Sequence, residues 1–121
     1  MESIKLFDSE LKLMELIWPR APVSAKELAR LAAEEIGWNK NTTYTILKKL
    51  ASKGAIARQD PDFICTPLIS KEQVQQDEAD TLINKLFAGS RKAFFSSFLS
   101  KETLSKDEIA ELKRMIEKHG E

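Results

Sequence analysis

One stretch of the sequence, Trp38–Leu50, combines hydrogen-bonding and positively charged side chains at close spacing. Its polar and basic residues are Lys40, Asn41, Thr42, Tyr44, Thr45, Lys48 and Lys49. Amide and hydroxyl groups can hydrogen-bond to the edges of base pairs, whereas lysine side chains bind phosphates. A helix with both kinds of group on one face is therefore typical of a protein that binds the major groove of DNA. The competing interpretation is a surface helix whose lysines are only solvated.

Local sequence signals predict that a single helix presents these side chains together. Asn39 is a good N-cap residue, so we expect the helix to begin at Lys40. Apolar and small residues recur at helical spacing and predict one buried face, made of Thr43, Ile46, Leu47 and Leu50. The polar and basic side chains then lie on the exposed face, with the short hydrogen-bonding groups near the start of the helix.

The charge distribution favours a DNA contact at this helix. The formal net charge of the whole chain is zero, which argues against indiscriminate binding to nucleic acids. Residues 36–59 nevertheless contain five basic and no acidic side chains, whereas residues 1–35 contain five basic and seven acidic ones. Residues 60–121 contain nine basic and twelve acidic side chains. This local positive patch adds Lys53 and Arg58 to the predicted phosphate contacts.

The rest of the composition argues against an enzyme and against a membrane protein. The single cysteine, Cys65, and the single histidine, His119, are too few for a disulfide or for a metal site of the cysteine and histidine type. No nucleophile–histidine motif or glycine-rich phosphate loop is present, so we expect neither catalysis nor a cofactor. No apolar run approaches the roughly 20 residues of a membrane helix. The first residues do not resemble a signal peptide, which predicts a cytoplasmic protein without direct membrane insertion.

The order of predicted elements before residue 70 indicates a winged helix-turn-helix domain. A first helix should begin near Glu10, capped by Asp8 or Ser9, with an apolar stripe of Leu11, Met14, Ile17 and Trp18. A capping box, Ser24–Glu27, opens a second helix that should stop at Gly37, just before the basic helix. Strands over residues 55–59 and 63–68, joined at Asp60-Pro61-Asp62, complete the pattern. Cys65 should be a packed side chain of the second strand.

The remaining residues predict three successive amphipathic helices, opened by Ser70, Ser90 and Ser105. Their candidate interface residues are Leu82, Leu86, Phe94, Phe95, Phe98, Ile109, Leu112 and Ile116. These helices either pack back on the winged domain or form a homodimer, which we favour because so short a region cannot easily bury all its apolar faces. The predicted fold is mainly α with a small β-hairpin: a DNA-binding domain at residues 1–69 and a helical dimerisation region at 70–121.

Segments over nearly the whole length carry a family resemblance. They are LFDSELKLMELIW at 6–18, VSAKEL at 23–28, WNKNTTYTILKKLASKGAI at 38–56, FICTPLIS at 63–70 and NKLFAGS at 84–90. In this order the chain resembles the BlaI/MecI penicillinase-repressor family of winged-helix transcriptional regulators, which also includes copper-responsive repressors of the CopY type. The resemblance implies a cytoplasmic homodimer that represses transcription by binding inverted repeats in operator DNA, with intertwined C-terminal helices.

The resemblance also implies how repression could end. In the antibiotic-resistance branch, a membrane sensor-protease system triggers cleavage of an Asn-Phe bond in the dimerisation region, and the aligned residues here are Ser97-Phe98. The copper branch uses a cysteine cluster, which this sequence lacks. Relatives often have a basic or glycine-containing wing and a tyrosine at the place of Cys65. Asp60 and Asp62 stand at the wing tip here, so we expect the wing to contribute little to phosphate binding.

Two other function classes remain open at this stage. A winged-helix module that binds proteins instead of DNA is favoured by the acidic wing and opposed by the acid-free residues 36–59. A metal or ligand sensor has no visible site in the sequence. Operator affinity measured over a salt series should separate a DNA-binding protein from a protein–protein module, because phosphate neutralisation releases counterions.

Overall fold

A computed structural model describes residues 4–120 of the chain. The elements in this range are α1 (Asp8–Ile17), β1 (Val23–Ser24), α2 (Ala25–Glu35), α3 (Lys40–Ser52), β2 (Ile56–Gln59), β3 (Ile64–Pro67), α4 (Lys71–Phe87), α5 (Arg91–Lys101) and α6 (Lys106–His119). The three strands form one antiparallel sheet in the order β1-β3-β2. The prediction of a mainly α-helical protein with a small β-hairpin is confirmed, and β1 extends that hairpin to three strands.

Helix α1 starts at Asp8 rather than near Glu10. The cap is not a side chain of Asp8 or Ser9, because the Glu10 carboxylate accepts the backbone N–H of Phe7 at 2.7 Å. The predicted apolar stripe is also incomplete. Its buried residues are Glu10, Leu13, Met14, Leu16 and Ile17, whereas Leu11 and Trp18 are only half-buried.

The turn between α2 and α3 forms as the sequence predicts. Gly37 has a φ of 85°, a left-handed conformation that glycine adopts at little cost. Asn39 then caps α3, because its Oδ1 accepts the backbone N–H of Thr42 at 2.8 Å. At the start of α2, Ser24 Oγ accepts the N–H of Glu27 at 3.1 Å. The Glu27 carboxylate pairs with Arg30 instead of returning to the serine backbone.

Helices α1, α2 and α3 pack around one apolar core with the sheet. Fully buried side chains of this core include Leu13, Met14, Ile17, Leu28, Leu47, Leu50, Ile56 and Cys65. In the sheet, Cys65 of β3 is opposite both Val23 and Arg58. The burial of Cys65 agrees with its predicted role as a packed side chain.

The described chain forms two compact units, and the boundary between them lies between Glu78 and Ala79, inside α4. The predicted boundary lies earlier, between residues 69 and 70. The first part of α4 belongs with the winged unit because Val74 is part of its core. The indole N–H of Trp18 also donates to the carbonyl of Ile69 at 2.9 Å.

The second unit contains the end of α4 together with α5 and α6. Ser90 caps α5, and Ser105 and Glu108 form the predicted capping box of α6 with two hydrogen bonds of 3.1 Å. Neither α5 nor α6 contains a buried residue. Between residues 4 and 120, no helix combines the length and the apolar character needed to cross a membrane.

Candidate nucleic-acid interface

Helix α3 exposes the polar and basic face that its sequence predicts. Thr43, Ile46, Leu47 and Leu50 are buried, and they fix α3 against the core. The side chains on the opposite face remain accessible: Lys40, Asn41, Thr45, Lys48 and Lys49 are exposed, and Thr42 and Tyr44 are half-buried. This face therefore presents amide and hydroxyl groups near the helix start and lysine ammonium groups further along.

A shallow groove runs beside the start of α3. It is lined by Ser9, Trp38, Asn39, Asn41, Thr42, Thr45, Ile46 and Lys49. Sequence reasoning did not assign Ser9 or Trp38 to this surface, because nothing in their spacing indicates that the start of α1 lies beside α3. The groove thus brings side chains from the start of α1 and from the turn before α3 next to the exposed face of α3.

Lys53, predicted to approach phosphates, caps the end of α3 and has partners within the protein. Its ammonium group is 2.5 Å from Glu10 Oε1 and donates to the carbonyl of Lys5 at 2.8 Å. It also lies 4.4 Å from the centre of the Phe7 ring. The Glu10 side chain is only 2% exposed, so this ammonium neutralises a carboxylate that water hardly reaches. These partners compete with a phosphate contact, which stays a prediction, and the proposed interface does not rely on Lys53.

Arg58 lies on the wing in contact with an aromatic ring and an acid. Its Nε donates to Asp60 Oδ1 at 2.8 Å, and its guanidinium carbon is 3.8 Å from the centre of the Phe63 ring. The Phe63 ring in turn meets Tyr44 of α3 edge to face, with centroids 5.9 Å apart. A row of contacts thus connects Asp60 at the wing tip to α3.

Phe63 has a strained backbone, with a φ of 51°. A bulky residue in this left-handed region costs about 1–3 kcal/mol, which surrounding contacts must offset. Here the ring is buried, and the carbonyl accepts the backbone N–H of Ala25 at 2.9 Å. The sequence offered only a weak signal for this role, an aromatic residue directly after the turn.

Burial raises the pKa of the Cys65 thiol to about 11, against an ordinary value of 9.0, although the charge of Arg58 opposes the shift. The thiol is therefore protonated near neutral pH and is a poor nucleophile. No group of three potential metal ligands of the histidine, cysteine and carboxylate types occurs among the residues that the structure describes.

The sequence matches one known protein family over most of its length. The family model described as the penicillinase repressor matches residues 6–118. The chain belongs to the penicillinase repressor family. Members of this family are transcriptional repressors and not enzymes, so the predicted family and the predicted absence of an enzyme function are confirmed.

Relatives match the chain over most of its length. The penicillinase repressor of Bacillus licheniformis is 26% identical over 117 residues, which cover 95% of this chain and 91% of that protein. The methicillin resistance regulatory protein MecI of Staphylococcus aureus (strain N315) is 26% identical over 119 residues, which cover 97% of each chain.

Two solved structures resemble the winged part. The solution structure of the DNA binding domain of the repressor BlaI has a TM-score of 0.54 and 28% identity, covering 60% of this chain and 93% of that one. The monomeric form of Bacillus licheniformis BlaI in complex with the blaP half-operator has a TM-score of 0.51, with the same identity and coverage. These similarities confirm the predicted winged-helix fold.

Proposed function

We propose that this member of the penicillinase repressor family is a cytoplasmic homodimer that binds an operator with two half-sites. Each winged unit would place α3 in the major groove, and the second unit would hold the dimer together. Such a repressor has double-stranded DNA and a second copy of itself as its partners.

The observation that carries the DNA-binding part is the exposed face of α3. Asn41 and Thr45, with Thr42 and Tyr44 beside them, are the candidates for contacts to base edges. The candidates for phosphate contacts are Lys40, Lys48, Lys49 and Arg58. The BlaI half-operator complex supports this proposal, because a relative with the same winged fold binds DNA.

The dimer is supported by the apolar side chains that the second unit leaves in solvent. Among the predicted interface residues, Leu82, Leu86, Phe95, Phe98, Ile109, Leu112 and Ile116 are exposed in the single chain, and Phe94 is half-buried. Helices α5 and α6 have no buried residue, so they lack the core that would stabilise them alone. A second copy is the occupant that fits, because half-sites arranged as inverted repeats call for a two-fold symmetric protein.

A salt series tests the DNA-binding proposal. The protein should bind a duplex from its own promoter region with an affinity that falls steeply as salt rises. Lys48→Ala should weaken binding to this duplex and to random DNA alike, and reduce the salt slope by roughly one. Lys118→Ala removes the same charge from α6 and should leave the slope unchanged. Salt-independent binding, or no binding, would contradict the proposal and favour a protein–protein module.

The release mechanism that we propose is cleavage at Ser97-Phe98, brought about by a membrane sensor-protease system. The bond lies inside α5, and the Phe98 ring stacks on Phe94 with centroids 6.0 Å apart. A peptide bond inside a helix is a poor protease substrate unless the helix opens locally. Cleavage there would separate α6 from the rest of the dimer interface and lower the occupancy of paired half-sites.

Intact-mass measurement in the native host tests the release mechanism. After treatment with a cell-wall antibiotic, a fragment ending at Ser97 is expected. An uncut chain during full induction of the target genes would contradict it.

A further inference from the structure

The row of contacts from Asp60 to α3 has a consequence that rests on the proposed function. We propose that Asp60 is a specificity-determining residue, because it positions Arg58 so that the wing meets a phosphate only when α3 is seated in the correct register. Asp60 acts here through Arg58 and need not touch DNA itself.

Two contacts set the position of the Arg58 side chain. Stacking on the Phe63 ring and the hydrogen bond from Nε to Asp60 hold the guanidinium group from two sides. Within residues 4–120, its two terminal amino groups donate to no acceptor. The side chain is 40% exposed, so these groups remain available to a phosphate.

Phe63 connects Arg58 to α3, the helix proposed to read bases. Phe63 contacts Arg58 on one side and the Tyr44 ring of α3 on another. The strained φ of 51° and the hydrogen bond to Ala25 fix where this ring lies. The position of the guanidinium group is therefore coupled to the position of α3 as well as to the tip of the wing.

The Asp60 carboxylate restricts which phosphates Arg58 can reach. An arginine released from Asp60 can follow phosphates in many registers, and such contacts supply most of the affinity for non-specific DNA. The pair uses only Nε, so a phosphate at the right place can bind the terminal amino groups without breaking it. Because the pair is solvent-exposed and hence weak, the expected effect of removing it is modest. Asp60 thus suppresses non-specific binding more than it suppresses specific binding.

Asp62 provides a matched control, because it is a second exposed wing carboxylate and, in the described part of the chain, forms no hydrogen bond or ion pair with Arg58. Full-length wild-type, Asp60→Ala, Asp60→Asn and Asp62→Ala proteins would be titrated with the promoter duplex and with a random-sequence duplex over a salt series. Circular dichroism would check that each variant is folded.

For Asp60→Ala we expect several-fold tighter binding to random DNA, a salt slope on that DNA larger by roughly 0.9, and reduced discrimination. Asp60→Asn keeps an oxygen acceptor for Nε and should retain part of the discrimination. Asp62→Ala should strengthen binding to both duplexes equally. In an Arg58→Gln background, Asp60→Ala should no longer change discrimination.

Two results would overturn the inference while leaving the proposed function intact. One is equal discrimination in Asp60→Ala and Asp62→Ala, which would mean that only the wing charge matters. The other is a change in discrimination that persists with Arg58→Gln. A wild-type protein that binds neither duplex would overturn the inference and the proposed function together.

Discussion

At the scale of single residues, Glu10 shows how one side chain can serve two helices. Its carboxylate caps α1 through the N–H of Phe7 and pairs with Lys53 at the end of α3. One of its oxygens, Oε2, has no partner among the described residues. Because this carboxylate is buried, the stability of the fold depends strongly on the Lys53 ammonium group that neutralises it.

Lys53→Ala should therefore act on stability rather than on phosphate binding. Removing one partner of a buried ion pair costs about 3 kcal/mol, which chemical denaturation would measure as a lower free energy of unfolding. Lys48→Ala is the control, because that side chain is exposed and its loss should change stability by less than about 0.5 kcal/mol. A stable Lys53→Ala protein with a reduced salt slope would return Lys53 to the phosphate contacts.

The Cys65 thiol should be inert in the folded protein. Because its pKa is raised to about 11, alkylation by iodoacetamide at pH 8 should be very slow in native protein and fast in denaturant. The raised pKa also means that folding disfavours the thiolate. Its contribution to stability is therefore complete below pH 9.0 and is lost as pH rises towards about 11. Rapid alkylation of native protein would contradict the burial of this thiol.

At the scale of elements, local signals predicted α3 correctly, although similar signals misplaced the cap of α1 and the Glu27 half of the α2 capping box. The limits of α3 followed from Asn39 and from the spacing of its apolar residues, and Gly37 marked the preceding turn. Contacts between distant residues could not be predicted in the same way. The pairing of Lys53 with Glu10 and the contact of Tyr44 with Phe63 depend on how the elements pack, which spacing along the chain does not contain.

Helix α3 should separate base recognition from phosphate binding along its length. Asn41→Ala or Thr45→Ala should reduce discrimination between promoter and random DNA by about 1–3 kcal/mol for each lost base contact. The salt slope should stay unchanged, because neither side chain carries a charge. Affinity measurements on both duplexes test this. If both variants discriminated between promoter and random DNA as well as the wild type does, α3 would not be the recognition helix.

At the scale of the whole molecule, the two units differ in how completely they bury their own apolar residues. The winged unit contains a continuous core, whereas Leu112 and Ile116 of α6 are 38% and 68% exposed. This contrast is the reason to expect that the second unit is complete only in an oligomer, a role that remains a prediction.

Leu112→Asp should convert the dimer into a monomer, because a charge at an apolar interface loses its hydration. Sedimentation velocity would detect the change, and binding to a duplex with two half-sites should weaken because the two winged units are no longer linked. Ala110→Asp is the matched control, since it adds the same charge to α6 at an exposed position outside the predicted interface. A Leu112→Asp protein that still sediments as a dimer would place the interface elsewhere.

The groove beside α3 also gives the protein a natural fluorophore. The chain has two tryptophans, and one of them, Trp38, lines that groove. The other, Trp18, is tied through its indole N–H to Ile69. With Trp18 replaced by phenylalanine, all tryptophan emission would come from Trp38. Changes in its intensity and wavelength would then follow the occupation of the groove in real time, without any attached dye.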